Sequence, residues 1–279
     1  MNVCSVGQAY ASAMAQRLRG PGLTLNCKMF DTFFQIISTD KQIVIPSNKQ
    51  RLSKVWVMFH SHNADTEQNL NGKDIEIEVE KTKYKEKVKL GKNILIGSNV
   101  KIGQNCSIGH NTIIEKNVEI KGSIHLGKNS IIKSGTYIEG PIWIGENCTI
   151  GPNAYLRKGT VLCGENKVGA ASEIKNSILF KGAKAPHHNY VGDSIIGKEC
   201  NLGSGTKIAN LRLDKKEIIV THRGERIDTS RRKLGVIMGD NVSTGINSSI
   251  NSGTIIGSDV NIGPNALVSG TFESKSLII

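Results

Sequence analysis

From Leu90 to Phe180 an aliphatic or aromatic residue recurs at every sixth position, and a small or apolar residue recurs four places after it. The hexads run LGKNIL, IGSNVK, IGQNCS, IGHNTI and onward through IGENCT, IGPNAY and LRKGTV to FKGAKA, sixteen consecutive units from Leu90 to Ala185. A period of six fits neither the 3.6-residue turn of a helix nor the two-residue alternation of an antiparallel strand. A repeat of this length is the mark of a solenoid. In such a coil the first and fifth residues of each hexad point inward, while Gly at the second place and Asn at the fourth form the corner, because both tolerate a left-handed backbone. Three hexads then close one triangular coil whose sides are short parallel strands, stacked at roughly 4.8 Å on the coil below. Sixteen hexads amount to a little over five coils.

The beat is lost at Pro186–Ile195, PHHNYVGDSI, and resumes at Ile196, ten residues after Pro186, with IGKECN and LGSGTK. Two histidines and a tyrosine at such a break make it the candidate active-site element. The beat fails again over 209–237 and returns from Met238 with MGDNVS, TGINSS, INSGTI and their successors. That insertion holds eight Lys or Arg against four acids. Glu217–Thr221 reads as a strand and Arg223-Gly224-Glu225 as a turn, which predicts a projecting hairpin. Solenoids gather insertions on one face, commonly the binding face.

Residues 1–89 carry less pattern. Ala9–Leu18 has helical spacing, Phe30–Val44 has apolar runs, and Asn63–Gly72 is polar and loop-like. Asp74–Glu80 alternates acids with Ile75, Ile77 and Val79, which predicts a half-exposed strand, and Lys81–Lys89 reads as a charged connector. Residues 1–89 are expected to be a separate region, a true domain, a remnant of a lost one or a partner-binding arm, preceding a repeat domain over 90–279.

Composition narrows the class. Aromatics are only 5% of the 279 residues whereas glycine reaches 30, which suits short strands and tight turns better than an aromatic-rich core. The formal net charge of +12 predicts anionic partners. No run of 18 apolar residues exists, so no membrane span is expected. The first twenty residues lack the pattern of a secretory leader, which points to the cytoplasm. The six cysteines form no CxxC pair. Cys106, Cys148 and Cys200 fall at the fifth place of their hexads and read as small core residues.

The repeat resembles the hexapeptide-repeat, left-handed parallel β-helix family, whose handedness departs from the usual right-handed crossover. That resemblance covers residues 90 to about 273 and speaks to fold more than to function. Three patches go further: PNAYLRKGTV at 152–161, the stretch 171–212 with PHHNYVGD and NLGSGT inside it, and SRRKLGVIMGD at 230–240. Together they resemble the acetyltransferase domain of the bifunctional sugar-1-phosphate nucleotidyltransferase and amino-sugar-1-phosphate acetyltransferase family, in its archaeal form. The resemblance implies acetyl-CoA as co-substrate, an amino-sugar 1-phosphate as acceptor, a homotrimer with its active site between subunits, and no metal for the acetyl transfer.

Acetyl transfer to an amine needs a proton acceptor, and histidine titrates close to working pH. By the family pattern His187, three residues before Tyr190, is that base, and His188 has no catalytic part. Arg157 and Lys175 interrupt the Gly rule at the second place of their hexads. With Tyr190 the resemblance makes them anchors for the sugar phosphate, a planar guanidinium and a point charge suiting a phosphate monoester. It sets Asn201 beside the substrate amine, Asn210 beside the acetyl group and the backbone of Ser204 beside acetyl-CoA. Lys233, and after it Lys216, are further candidates for a phosphate.

Three other readings stand beside this one. A sugar nucleotidyltransferase could use the solenoid as an oligomerisation scaffold, and Gln16–Pro21 loosely resembles the nucleotide loop of such enzymes. The glycines that should precede that loop are missing, however, and 89 residues are too few for the usual α/β domain. A metal enzyme like the γ-carbonic anhydrases needs three histidines on neighbouring coils, where only His110 and His125 are found. A non-catalytic scaffold or nucleic-acid binder is suggested by the charge, but the basic residues of the insertion lack interleaved aromatics.

Overall fold

In the computed structural model the described residues are 78–79 and 88–279, except 104 and 223. They belong to a compact unit that spans Lys73–Ile279. The features expected before residue 78 and between 80 and 87 lie outside the described residues. Within them the protein is a left-handed parallel β-helix. Three ten-stranded parallel sheets form its sides. Sheet A begins with Glu78–Val79, sheet B with Lys89–Leu90 and sheet C with Leu95–Ile96. No helix among the described residues is long and apolar enough to cross a membrane.

One coil is three hexads, as the period predicts. Lys101 pairs with Glu119, Glu119 with Tyr137, Tyr137 with Tyr155 and Tyr155 with Glu173, eighteen positions apart each time. The inward residues Ile114, Ile132, Ile150 and Leu156 are fully buried. So are Cys106, Cys148 and Cys200 at the fifth places. Burial pushes the Cys106 and Cys148 thiols up to about 11 and the Cys200 thiol up to about 12. They are packing residues.

The corners divide the work differently from the sequence expectation. Asn at the fourth place does adopt the left-handed backbone, with φ of 56° at Asn93, 55° at Asn111 and 57° at Asn129. These side chains also bond up the corner, Asn93 to Asn111 at 3.1 Å, Asn111 to Asn129 at 3.1 Å and Asn129 to Asn147 at 3.2 Å. Apart from Gly151, with its φ of 92°, Gly at the second place serves another purpose. A Cβ on Gly97 would stand 2.5 Å from the backbone N of Lys116 in the next coil, so glycine is needed there for close approach rather than for a left-handed turn.

The repeat also loses step earlier than the hexads suggest. Arg157 and Lys175 are partners in register, as are Val161 and Ile178. Arg157 lies four positions before Val161, yet Lys175 lies only three before Ile178. The same shortening recurs between Gly192 and Ile195. The inward series is therefore Ile174, Leu179, Ala185, Val191 and Ile196, every one fully buried. The ten-residue gap after Pro186 dissolves into sides of six and five residues around Ala185, and Phe180 is not in the inward row. Apolar side chains at both Leu179 and Phe180 hid the step.

Both shortened corners lie on the edge between sheets A and B. On the same edge, one coil higher, the chain leaves at Ala209 and re-enters sheet B at Val236–Met238, two residues before the beat returns in the sequence. The excursion contains the expected antiparallel hairpin, Ile219–His222 with Glu225–Asp228. It does not project freely. Ile218, Val220 and Leu234 are buried in a small cluster with Ile255 of sheet B, and Ile227 packs against it.

Asn129 tests the corner logic. Asn129→Ala forces a Cβ-bearing residue without a bonding side chain into φ 57° and is expected to cost about 1–2 kcal/mol. Asn129→Gly, which keeps the backbone freedom, should cost less. Denaturant titration of the two variants gives the comparison.

Candidate active site

The outer face of sheet A gathers three of the residues singled out from the sequence, Arg157, Lys175 and Tyr190. Tyr155 and Arg157 pair with Glu173 and Lys175, which pair with Tyr190 and Gly192 in the next coil. Side chains at these places point away from the core because Leu156, Ile174 and Val191 between them point into it. Arg157 donates from Nη1 to Glu173 Oε1 at 2.9 Å and lies with Cζ 5.5 Å from the Tyr155 ring centre. The bond to Glu173 raises the guanidinium above its ordinary range.

Lys175 is less exposed than a solvated corner would be. Its Nζ lies 2.8 Å from Asp193 Oδ2, and the Asp193 side chain is only 9% exposed. Asn176 Nδ2 donates to Asp193 Oδ1 at 2.7 Å, and Asn210 Nδ2 donates to Asp193 Oδ2. Asn210 Nδ2 and the Tyr190 hydroxyl come together over Gly192. Burial, together with the nearby Glu173 and Asp193 carboxylates, raises the Tyr190 phenol above its ordinary value. Gly192 makes room for this meeting. A Cβ there would stand 2.7 Å from Asn210 Nδ2 and 2.9 Å from the Tyr190 hydroxyl.

His187 ends the strand Lys184–His187 of sheet C, at the edge where sheet C turns into sheet A, and its side chain is exposed. Its backbone is held tightly. The N–H donates to Asn189 Oδ1 at 3.0 Å and the carbonyl accepts the Gly205 N–H at 3.0 Å. Asn189 is itself buried and donates from Nδ2 to the Gly203 carbonyl at 2.8 Å. His188 takes the left-handed corner conformation, with φ of 51°, and its carbonyl accepts from Lys207 Nζ. Ser204 lies on the same edge one coil above, its carbonyl accepting the Asn247 N–H at 2.8 Å.

Three candidates fall elsewhere. Asn201 faces outward from sheet C, beside Lys184 and Ser243, so one prism does not bring it to Asn210. Lys233 is exposed at the base of the insertion, where it bridges Leu211. Lys216 is exposed beside Asp214. The sequence reading missed Glu173, Asn176, Asp193 and the half-buried Arg231, whose charge senses Asp193. Asp193 was visible as the last residue of the YVGD stretch. Arg231 stood inside the SRRKLGVIMGD patch, but only the fold of the insertion brings it back to this edge. His125, weighed for a metal site, instead stacks on Trp143 with ring centres 3.6 Å apart, and burial pushes it down to about 4.

Gly192→Ala keeps the backbone but drives a methyl group into Tyr190 and Asn210. It is expected to cost about 1–3 kcal/mol and to displace the Tyr190 ring, read by thermal melting and by the ring proton shifts.

Known proteins place this architecture. The profile of the GMPPB C-terminal domain family matches residues 80–169 and 138–273. A bifunctional sugar-1-phosphate nucleotidylyltransferase/acetyltransferase from Sulfurisphaera tokodaii is 51% identical over 155 residues, 56% of this chain and 39% of that protein. A bifunctional protein GlmU from Methanococcus maripaludis is 47% identical over 165 residues, 59% of this chain and 40% of that one. The acetyltransferase YaiX of Escherichia coli, described as uncharacterized, is 36% identical over 166 residues, 58% of this chain and 72% of that protein. The chain thus spans about two-fifths of the length of the two bifunctional relatives. With a matching profile across well over half its length and the fold to go with it, the chain belongs to the GMPPB C-terminal domain family.

Proposed function

We propose that the chain is an acetyl-CoA-dependent N-acetyltransferase acting on an amino-sugar 1-phosphate, glucosamine 1-phosphate or galactosamine 1-phosphate, for nucleotide-sugar synthesis. The observation that carries this reading is the gathering of Arg157, Lys175 and the Tyr190 hydroxyl on the outer face of sheet A, next to the edge that holds His187. The names of the bifunctional relatives and of YaiX support acetyl transfer. In this reading the sugar phosphate binds to Arg157 and Lys175, each already held in place by a carboxylate, so little side-chain entropy is lost on binding. Tyr190 adds a donor beside them, and Lys233 contributes a charge to the anionic end of a substrate.

The chemistry then runs as follows. The amine nitrogen attacks the thioester carbonyl carbon, a C–N bond forms, and the carbonyl electron pair moves to oxygen. His187 takes the proton that the nitrogen sheds. Collapse of the adduct breaks the C–S bond, and the thiolate of CoA receives a proton from the His187 imidazolium. Asn210 serves the acetyl group, the Ser204 backbone faces the co-substrate, and Asn201 serves the amine.

The homotrimer is part of the proposal. Asn201 faces out from sheet C while Arg157 and Lys175 face out from sheet A, so a single site containing all three needs a neighbouring subunit. Sheet B supports association, because Trp143, Val161 and Ile178 form an apolar, half-exposed row along its outer side. A cytoplasmic setting accords with the four free cysteines among the described residues.

Thiol release from acetyl-CoA in the presence of either amino-sugar phosphate tests the activity. His187→Ala is expected to lower kcat by about 10²- to 10⁴-fold with little change in KM. Absence of thiol release with both amines, from protein that sediments as a trimer, refutes the reading. Mixed trimers of His187→Ala and Asn201→Ala subunits should regain part of the activity that each variant lacks alone, if the site is shared between subunits. No recovery places the whole site in one chain.

A further inference from the structure

We infer that Asp193 is the positioning residue of this site: its carboxylate anchors the Lys175 ammonium and turns the Asn210 carboxamide so that the carbonyl oxygen of Asn210, and not its NH2, meets the substrate. The identity of that substrate rests on the function proposed above, whereas the orientation of the pair rests on geometry alone.

An ionised carboxylate can only accept hydrogen bonds. Asp193 accepts from Lys175 at 2.8 Å, from Asn176 at 2.7 Å and from Asn210. Because the acceptor is a carboxylate, the NH2 end of each asparagine must face it. The Asn210 NH2 is thereby turned to the side of Asp193 and Gly192, where the Tyr190 hydroxyl also lies. The carbonyl oxygen is then the end of Asn210 turned away from Asp193 and left for a ligand. That oxygen accepts a hydrogen bond, so beside the acetyl group it suits the N–H of the attacking amine and repels a phosphate.

The backbone around Asp193 is built to hold this arrangement. It occupies the shortened corner at φ 50°, donates its N–H to the Lys175 carbonyl at 2.9 Å and accepts the Gly235 N–H at 2.8 Å. It therefore ties the coil below, through Lys175, to the returning end of the insertion, through Gly235. The Leu234 N–H donates to the backbone carbonyl of Asn210 at 3.1 Å, so the insertion braces Asn210 as well. A full-length corner would carry one more residue here and would lift the carboxylate away from one of its partners.

Asp193→Asn tests the inference, since asparagine has the same shape and accepts a positive φ but presents an amide to the three donors. The variant is expected to melt close to the wild type. Its kcat/KM for the amino-sugar phosphate should fall by about 10²-fold, with KM for acetyl-CoA unchanged. In a double-mutant cycle with Asn210→Ala the two losses should overlap instead of multiplying. Wild-type kcat/KM in Asp193→Asn, or losses that multiply, overturns the inference. Where asparagine disturbs folding, Asp193→Gly suits the same φ and should give the same loss. If the wild-type protein releases no thiol, it is the proposed function that fails. The side-chain NH2 resonances of Asn210 in 15N-labelled protein then decide for Asp193. They should move toward those of a solvated asparagine in Asp193→Asn, and unmoved resonances overturn the inference.

Discussion

The hydrogen-bonded ladder between coils governs everything else in this molecule. Each strand bonds to the strand directly beneath it, and each inward side chain stacks on the one below. Neither a strand nor its core row can take up or lose a residue without turning its side chains to the wrong face. Changes in chain length are therefore confined to the corners. Here they fall on one edge, between sheets A and B, where two successive corners lack a residue and the next one carries the whole insertion. The edge that departs from the repeat is the edge that holds Asp193, Asn176, Asn210 and the end of Lys175.

Charge is arranged on the same principle. The pair Lys128–Glu146 is half-exposed on both sides and adds little to stability. Lys175–Asp193 is far less exposed, and the penalty for taking its charges out of water is met by two further amide donors. Such a pair is better understood as a device for orientation than as a source of stability. Arg157 and Glu173, one coil below, repeat the motif with more exposure. The face that meets a phosphate in the proposed reaction is thus a row of cations, each with its own carboxylate, instead of an open cluster of like charge.

The solenoid was legible in the chain because its period is set by backbone geometry. Ile114, Ile132 and Ile150 stand at the places that the six-residue beat assigns them. The corner asparagines were legible for the same reason, since a left-handed φ narrows the choice of residue sharply. The glycines were placed correctly but explained wrongly: what constrains Gly97 is Lys116, nineteen residues further on and invisible to a local reading. The step at Lys175 escaped because Leu179 and Phe180 are both apolar, so either keeps a plausible rhythm. His187, Arg157, Lys175 and Tyr190 stood out through motif resemblance and through breaches of the repeat.

The sequence by itself determined the coil, the corners and the position along the chain at which regularity stops. Each of these depends on neighbours within one hexad or on a period repeated many times. The tertiary structure decided which side chains meet. Arg157, Lys175, Tyr190, Asp193 and Asn210 come from successive coils, and Arg231 arrives only after the insertion has folded back onto sheet B. Their meeting depends on the number of residues in each corner, because one residue more or less shifts every later side chain along the edge. That count can be made only once the strands are paired.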